Sequence, residues 1–152
     1  MKFTCSVEID LPIEKVVVLF DNPKNLIEWQ DGFVAIEPIS GTPGEPGSKS
    51  KMIYMIRDRE MEIIETIKVN NLPKEKTGIY EHIHMVNTMT TRFIELTPNK
   101  TKYEAEIEYT QFNGFVPKLM AFLMPGVFKK QTQKWLNQFK AFAENESQTR
   151  IN

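Results

Sequence analysis

Apolar and polar residues alternate from the start of the chain. Phe3, Cys5, Val7, Ile9 and Leu11 interleave with Lys2, Thr4, Ser6, Glu8 and Asp10, the period-two pattern of a half-buried strand. Pro12 suits a first helical turn, where its missing N–H costs nothing. The apolar stretch Ile13–Asp21 then predicts about two turns of helix, stopped at Asn22-Pro23. A second short helix follows over Lys24–Gln30. Neither is long enough to stand alone, so Leu19, Phe20, Ile27 and Trp29 must dock on something larger.

Strand character resumes over Phe33–Ser40. The stretch 41–48, GTPGEPGS, with three glycines and two prolines, is the clearest loop in the chain. Five further strand-like segments follow, separated by short turns near Asp58, at 70–75, near Val86-Asn87 and at 97–100; links this short imply an antiparallel meander. From Val116 to about Glu146 the period becomes helical, with Leu119, Phe122, Leu123, Phe128, Leu136 and Phe139 on one stripe that Trp135, Phe142 and Ala143 complete. Pro125-Gly126 should kink or break that helix. The expectation is one α+β domain over 1–146 with a frayed tail at 147–152: a strand, two short helices, about six more strands and a long C-terminal helix. A sheet with one dry face needs a cover, and only the last helix is large enough. A strongly curved sheet wrapped on one helix leaves a hollow between them.

The short turns allow the strands to be registered by hand, although one bulge would flip every pair beyond it. Centring the turn at 70–75 sets Glu65 opposite Glu81, Ile67 opposite Ile79, Ile63 opposite Ile83 and Met61 opposite Met85. The next turns bring Arg92 beside Glu81 and Ala105 beside Arg92, and the first sets Met52 by Glu65 and Tyr54 by Ile63. An inner-face row Met52–Glu65–Glu81–Arg92–Ala105 is therefore expected, next to Tyr54–Ile63–Ile83–Thr90–Ile107, with Tyr109 in the row beyond and Tyr103 on the same face. Facing carboxylates repel and burial favours their neutral forms, while a neighbouring guanidinium would hold one ionised. Such a polar stripe on an apolar wall reads either as a ligand-orienting or acid/base group, or as a structural ion pair beneath the helix. His82 and His84, with Tyr80, fall on the outer face by the same parity. No third histidine or second cysteine is there to complete a metal site with them.

Composition narrows the class. The chain has 152 residues, 41% hydrophobic and 26% charged, as in an ordinary folded domain. A formal charge of −1 makes no case for nucleic acid. Apolar runs are too short to span a bilayer, and Met1-Lys2 leads straight into strand pattern, so neither integral membrane association nor a leader peptide is expected. The single cysteine excludes an internal disulfide, and Cys5 belongs to a packed strand face. A cytoplasmic protein without cofactor is the expectation; no P-loop, nucleophile elbow, dinucleotide fingerprint or zinc motif occurs.

The stretch VEIDLPIEKVVVLFDNPKNLIEWQDGFVAIEPISGTPGEPGS, Val7–Ser48, resembles the polyketide cyclase/dehydrase-type branch of the START-like, or SRPBCC, superfamily. The resemblance rests on a strand ending at Pro12, a valine-rich first helix, Trp29 closing the second helix and a Gly-rich loop ending at Gly47-Ser48. ELTPNKTKYEAEIEY, Glu95–Tyr109, is similar to that branch's last hairpin. The resemblance implies a helix-grip fold and a cavity for a small hydrophobic or amphipathic molecule, and it names no ligand. Candidate ligand contacts are Met52, Tyr54, Ile63, Glu65, Glu81, Ile83, Arg92, Tyr103, Ile107 and Tyr109 on the sheet, with Leu119, Phe122, Leu123 and Phe128 on the helix. Non-catalytic binding or transport is the first expectation. A cyclase or dehydratase using Glu65 or Glu81 is the second, and an interaction module of the chaperone-activator type the third.

Overall fold

A computed structural model describes the backbone of residues 1–151 and the side chains of 1–147. Strand β1 (Lys2–Ile9) leads into α1 (Ile13–Phe20), a 3-10 turn (Pro23–Asn25) and α2 (Leu26–Trp29). Six strands follow: β2 (Phe33–Ser40), β3 (Lys49–Ile56), β4 (Arg59–Asn71), β5 (Glu75–His82), β6 (Met85–Thr97) and β7 (Lys100–Phe112). Helices α3 (Phe115–Leu123) and α4 (Pro125–Ile151) close the chain. The backbone of α4 thus continues beyond 146; the side chains of 148–152, where a frayed tail was expected, lie outside the described residues.

The strands form one seven-stranded antiparallel sheet in the order β1-β7-β6-β5-β4-β3-β2. It is the expected meander, with β1 crossing the whole sheet to pair with β7. The β3–β4 turn is the tight pair Arg57-Asp58, both left-handed at φ 50° and 63°, which matches the twist of a two-residue hairpin. The loop at 41–48 is tied down: Gly47 N–H donates to the Ile67 carbonyl at 2.8 Å, Ile67 N–H to that of Ser48 at 3.0 Å, and Asn70 Nδ2 to that of Gly44 at 2.7 Å.

The core occupies one half of the sheet. Cys5 and Ile9 of β1, Phe93 of β6 and Tyr103, Ala105 and Ile107 of β7 meet Val16 and Leu19 of α1, Trp29 of α2 and Leu136, Phe139 and Ala143 of α4. Thr132, Leu136, Phe139 and Ala143 recur every three or four residues, so one stripe of α4 is buried. Phe20 joins the layers, its ring 5.6 Å from Tyr103, 5.8 Å from Phe139 and 6.1 Å from Trp29 between centroids. No helix among the described residues is long and apolar enough to cross a membrane.

Proline breaks the C-terminal helix rather than bending it. Pro125 cannot donate to the preceding turn, and it forces Met124 out of helical geometry, to φ −134° and ψ 55°. Helix α3 therefore leaves the line of α4. Leu119, Phe122 and Leu123, expected on the buried stripe, are exposed.

Candidate functional site

Over the other half of the sheet, α4 stands away from the strands. The space between them is a hollow of ≈ 820 Å³, walled by β3–β7, closed by the α1–α2 segment and the start of α4, and bordered by Pro43 and Gly44 of the 41–48 loop. Its wall is mainly methionine, isoleucine and aromatic: Met52 and Tyr54 on β3, Met61 and Ile63 on β4, Met85 and Met89 on β6, with Phe128 and Trp135 on α4. Lys76 lies at the end near α1, paired with Asp21 at 3.2 Å, with its ammonium 5.9 Å from the centre of the Phe20 ring.

Of the residues expected in a site, Met52, Tyr54, Ile63, Glu65, Tyr103, Ile107, Tyr109 and Phe128 do line this hollow. Glu81, Ile83, Arg92, Leu119, Phe122 and Leu123 do not. The row Glu65–Glu81–Arg92 does not exist, and two β-bulges account for it. Both turns were centred correctly: Val69 pairs with Thr77 and Asn71 with Glu75, while Thr97 pairs with Lys100. Behind the first turn, an extra residue at Lys68 makes Ile67 pair with Gly78, so Glu65 faces Tyr80 and not Glu81. Behind the second, an extra residue at Leu96 leaves Arg92 opposite Glu104 and Thr91 opposite Ala105. Each bulge flips the strand face by one residue. Strands β5 and β6 consequently present the residues assigned to the outside.

Arg92 therefore sits on the outer face, 3.3 Å from Glu106, which Lys2 also approaches at 3.1 Å. Hydrogen bonding from Lys2 first, then from Arg92, holds the Glu106 carboxyl below the usual carboxylate range. The β5–β6 turn falls at Ile83-His84 rather than Val86-Asn87, so Ile83 is 76% exposed.

The row that replaces the expected one is Ser50–Glu65–Tyr80–Asn87–Tyr109, with His82 and Met85 beyond it; all seven line the hollow. At its centre the Tyr80 hydroxyl donates to Glu65 Oε2 at 2.9 Å. Glu65 has no other hydrogen-bond donor among the described residues. Tyr80 faces the hollow, yet enough protein surrounds its hydroxyl that burial, with the Glu65 charge second, pushes it well above the usual tyrosine range. It is a fixed donor. Tyr54 donates to Gln30 Oε1 at 2.8 Å and stacks on Trp135 at 5.8 Å between ring centroids; burial and then Glu65 raise it in the same way. His82 is lowered by burial first and by His84 second. Their rings are 5.3 Å apart, and among the described residues no group of three His, Cys, Asp or Glu side chains gathers to hold a metal.

Tyr80, His82 and Asn87 were missed because parity was carried through an unseen bulge. One sign of Tyr80 was present in the sequence. Gly78 interrupts a strand, and a glycine there marks a close approach. Its partner is the Tyr80 ring, which lies so near that a Cβ on Gly78 would stand 3.0 Å from it.

No protein-family model matches the sequence, and no curated protein matches it either. Solved structures do resemble it. The Zhui aromatase/cyclase from Streptomyces sp. R1128 superposes with a TM-score of 0.80 at 9% identity, covering 97% of this chain and 95% of its own. A protein of Thermus thermophilus gives 0.78 at 12%, covering 97% and 99%, and a START superfamily protein from Mycobacterium smegmatis gives 0.74 at 13%, covering 95% and 97%. At such identities the likeness concerns the path of the backbone, over nearly its whole length in each case. This chain has the START-like helix-grip fold.

Proposed function

We propose that the protein binds a small hydrophobic or amphipathic molecule in the hollow between sheet and α4, and carries or senses it without transforming it. One observation carries the reading: a largely apolar hollow of ≈ 820 Å³ holds a fixed donor–acceptor pair, Tyr80 and Glu65, on its wall. Small-molecule sites are of this size, roughly 300–1,000 Å³, with apolar walls and a few placed polar groups. Burial against methionine and isoleucine supplies affinity, and flexible methionine side chains adapt to differing outlines. The open lone pairs of Glu65 accept from a hydroxyl, phenol or amine on the ligand and set its direction.

The test uses both tryptophans of the chain, Trp29 and Trp135, because each lines the hollow. Purified protein is examined by mass spectrometry under native and denaturing conditions for a co-purified molecule. It is then titrated with long-chain alcohols and polycyclic phenols while tryptophan emission is followed. A saturable change is expected, and Glu65→Gln should weaken hydroxylated ligands about tenfold while leaving purely apolar ones unchanged. No co-purified molecule and no response to either class overturns the reading.

A second reading, an enzyme of the cyclase or dehydratase kind, draws on the same pair and on the likeness to the Zhui aromatase/cyclase. Glu65 alone would act as its base, since Glu81 lies on the other face. Turnover of a bound polyketide-like phenol that Glu65→Gln abolishes would favour it.

A further inference from the structure

Helix α3 is built almost wholly from apolar residues and buries none of them. In Phe115–Met124 the only charged side chain is Lys118, and Phe115 and Phe122 are 77% and 82% exposed. Among the described elements α3 packs appreciably only against α4. Nine residues do not hold a helix in water by themselves, and so large an exposed apolar surface marks a contact site. The neighbourhood extends the pattern. Successive strands alternate in direction, so the β3–β4 turn, the β5–β6 turn and the end of β7 all fall at one end of the sheet. Met55 and Ile56 are exposed at the first turn and Ile83 at the second. Asn113, which leads into α3, is bound to that second turn: its N–H donates to the His84 carbonyl at 2.7 Å and its Nδ2 to that of Ile83 at 3.3 Å. Apolar side chains from three elements are thus gathered at one end, beside the part of the hollow walled by Val127 and Phe128.

Charge selects the partner. From Tyr109 to Ala143 the sequence holds five lysines and no aspartate or glutamate. Lys134 and Lys140 are paired, with Asp31 and Glu144, whereas Lys118, Lys129 and Lys130 make no ion pair among the described residues. At that end Asp58 and Glu60 of the hairpin tip adjoin Arg57 and Arg59 in sequence, and Glu81 lies behind the second turn. Asp31, next to the Gly32 whose carbonyl accepts from Met55 N–H, is held by Lys134. We propose that this end of the molecule docks on an anionic lipid surface, α3 lying in the interface with Phe115 and Phe122 among the acyl chains and Lys118, Lys129 and Lys130 at the headgroups. An apolar helix flanked by lysines has the composition of an interfacial anchor. A second copy of the chain is a poorer fit, because the same unpaired lysines would face one another. The inference rests on α3 and its surroundings, independently of what fills the hollow.

The test is sedimentation of the full chain with vesicles of phosphatidylcholine alone, or mixed with phosphatidylglycerol. Binding is expected to the mixed vesicles, weakened by salt and lost at least tenfold in the double variant Phe115→Ser/Phe122→Ser. Lys129→Gln and Lys130→Gln should each cost roughly fivefold. The substituted side chains are exposed, so circular dichroism should be unchanged; Ile39→Ser, exposed at the opposite end of the sheet, serves as control. The proposal fails if mixed vesicles are not bound, or if phosphatidylcholine alone binds as well. It fails equally if Ile39→Ser weakens binding as much as the double variant. Self-association that depends on Phe115 and Phe122, without vesicle binding, would assign the surface to a second copy instead.

Discussion

Glu65 was visible in the sequence as a carboxylate on an apolar strand face, and the structure keeps it there. Its partner was not visible, because partner identity depends on a register that two inserted residues, Lys68 and Leu96, reset. Tyr80, which faces Glu65, is one of a set of buried tyrosines that give this protein an unusual titration. Its four tyrosines, Tyr54, Tyr80, Tyr103 and Tyr109, are all raised above the ordinary value, in each case chiefly by burial, with Tyr109 pushed up to about 12. A raised acid contributes stability that is fully present below the unfolded value of 10.0 and is lost as pH climbs toward the folded one. Tyrosinate absorbance should therefore stay near zero in the native protein at pH 10, where half the tyrosines of the unfolded chain are ionised. Above that it should rise in one step together with the loss of circular dichroism. Titration of two or more tyrosines near 10 in folded protein would contradict the burial described.

Two glycines separate the behaviour of strand and helix. Gly126 lies in the first turn of α4 with nothing near its missing side chain, so Gly126→Ala should stabilise by about 0.4–1 kcal/mol, through the unfolded chain. Gly78 has the Tyr80 ring against it. Gly78→Ala should cost about 1–3 kcal/mol and push Tyr80 off Glu65; denaturation curves of the two variants should move in opposite directions. Elements of this kind were legible where periodicity was long. The alternation of β1 and β7, the valine-rich first helix and the stop at Pro125 all appear as expected. Helix α3 was legible as a helix, but not as one turned away from the core. Its apolar stripe continues that of α4 in sequence, and only the angle introduced at Met124 separates them in space.

At the scale of the molecule, the sheet divides into a half packed solid by α1 and α4 and a half that walls the hollow. Truncations should sort accordingly. Ile9→Ala, at 0% exposure within the core cluster, should cost about 2–5 kcal/mol. Ile63→Ala, half-buried on the wall of the hollow, should cost about 1 kcal/mol, and the two values from chemical denaturation should differ at least twofold. The order of elements and the presence of one dry face were readable in advance because they follow from period and turn length. The division was not, since β3 and β4 alternate in sequence much as β1 and β7 do, and only the line taken by α4 decides which strands it covers.

That division bears on how such a protein can change. Substitutions in the packed half are filtered by folding, since each removes contacts the whole chain depends on. Those on the inward faces of β3, β4 and β5 instead reshape the wall of the hollow. The bulges at Lys68 and Leu96 set which faces of the strands between them look inward. A one-residue change at Lys68 would exchange lining residues for their outward-facing neighbours, and one at Leu96 would also turn Phe93 of β6 out of the core. A chain with this backbone can therefore recast part of the wall of its hollow by a one-residue change at Lys68, whereas the same change at Leu96 would also undo the core around Phe93.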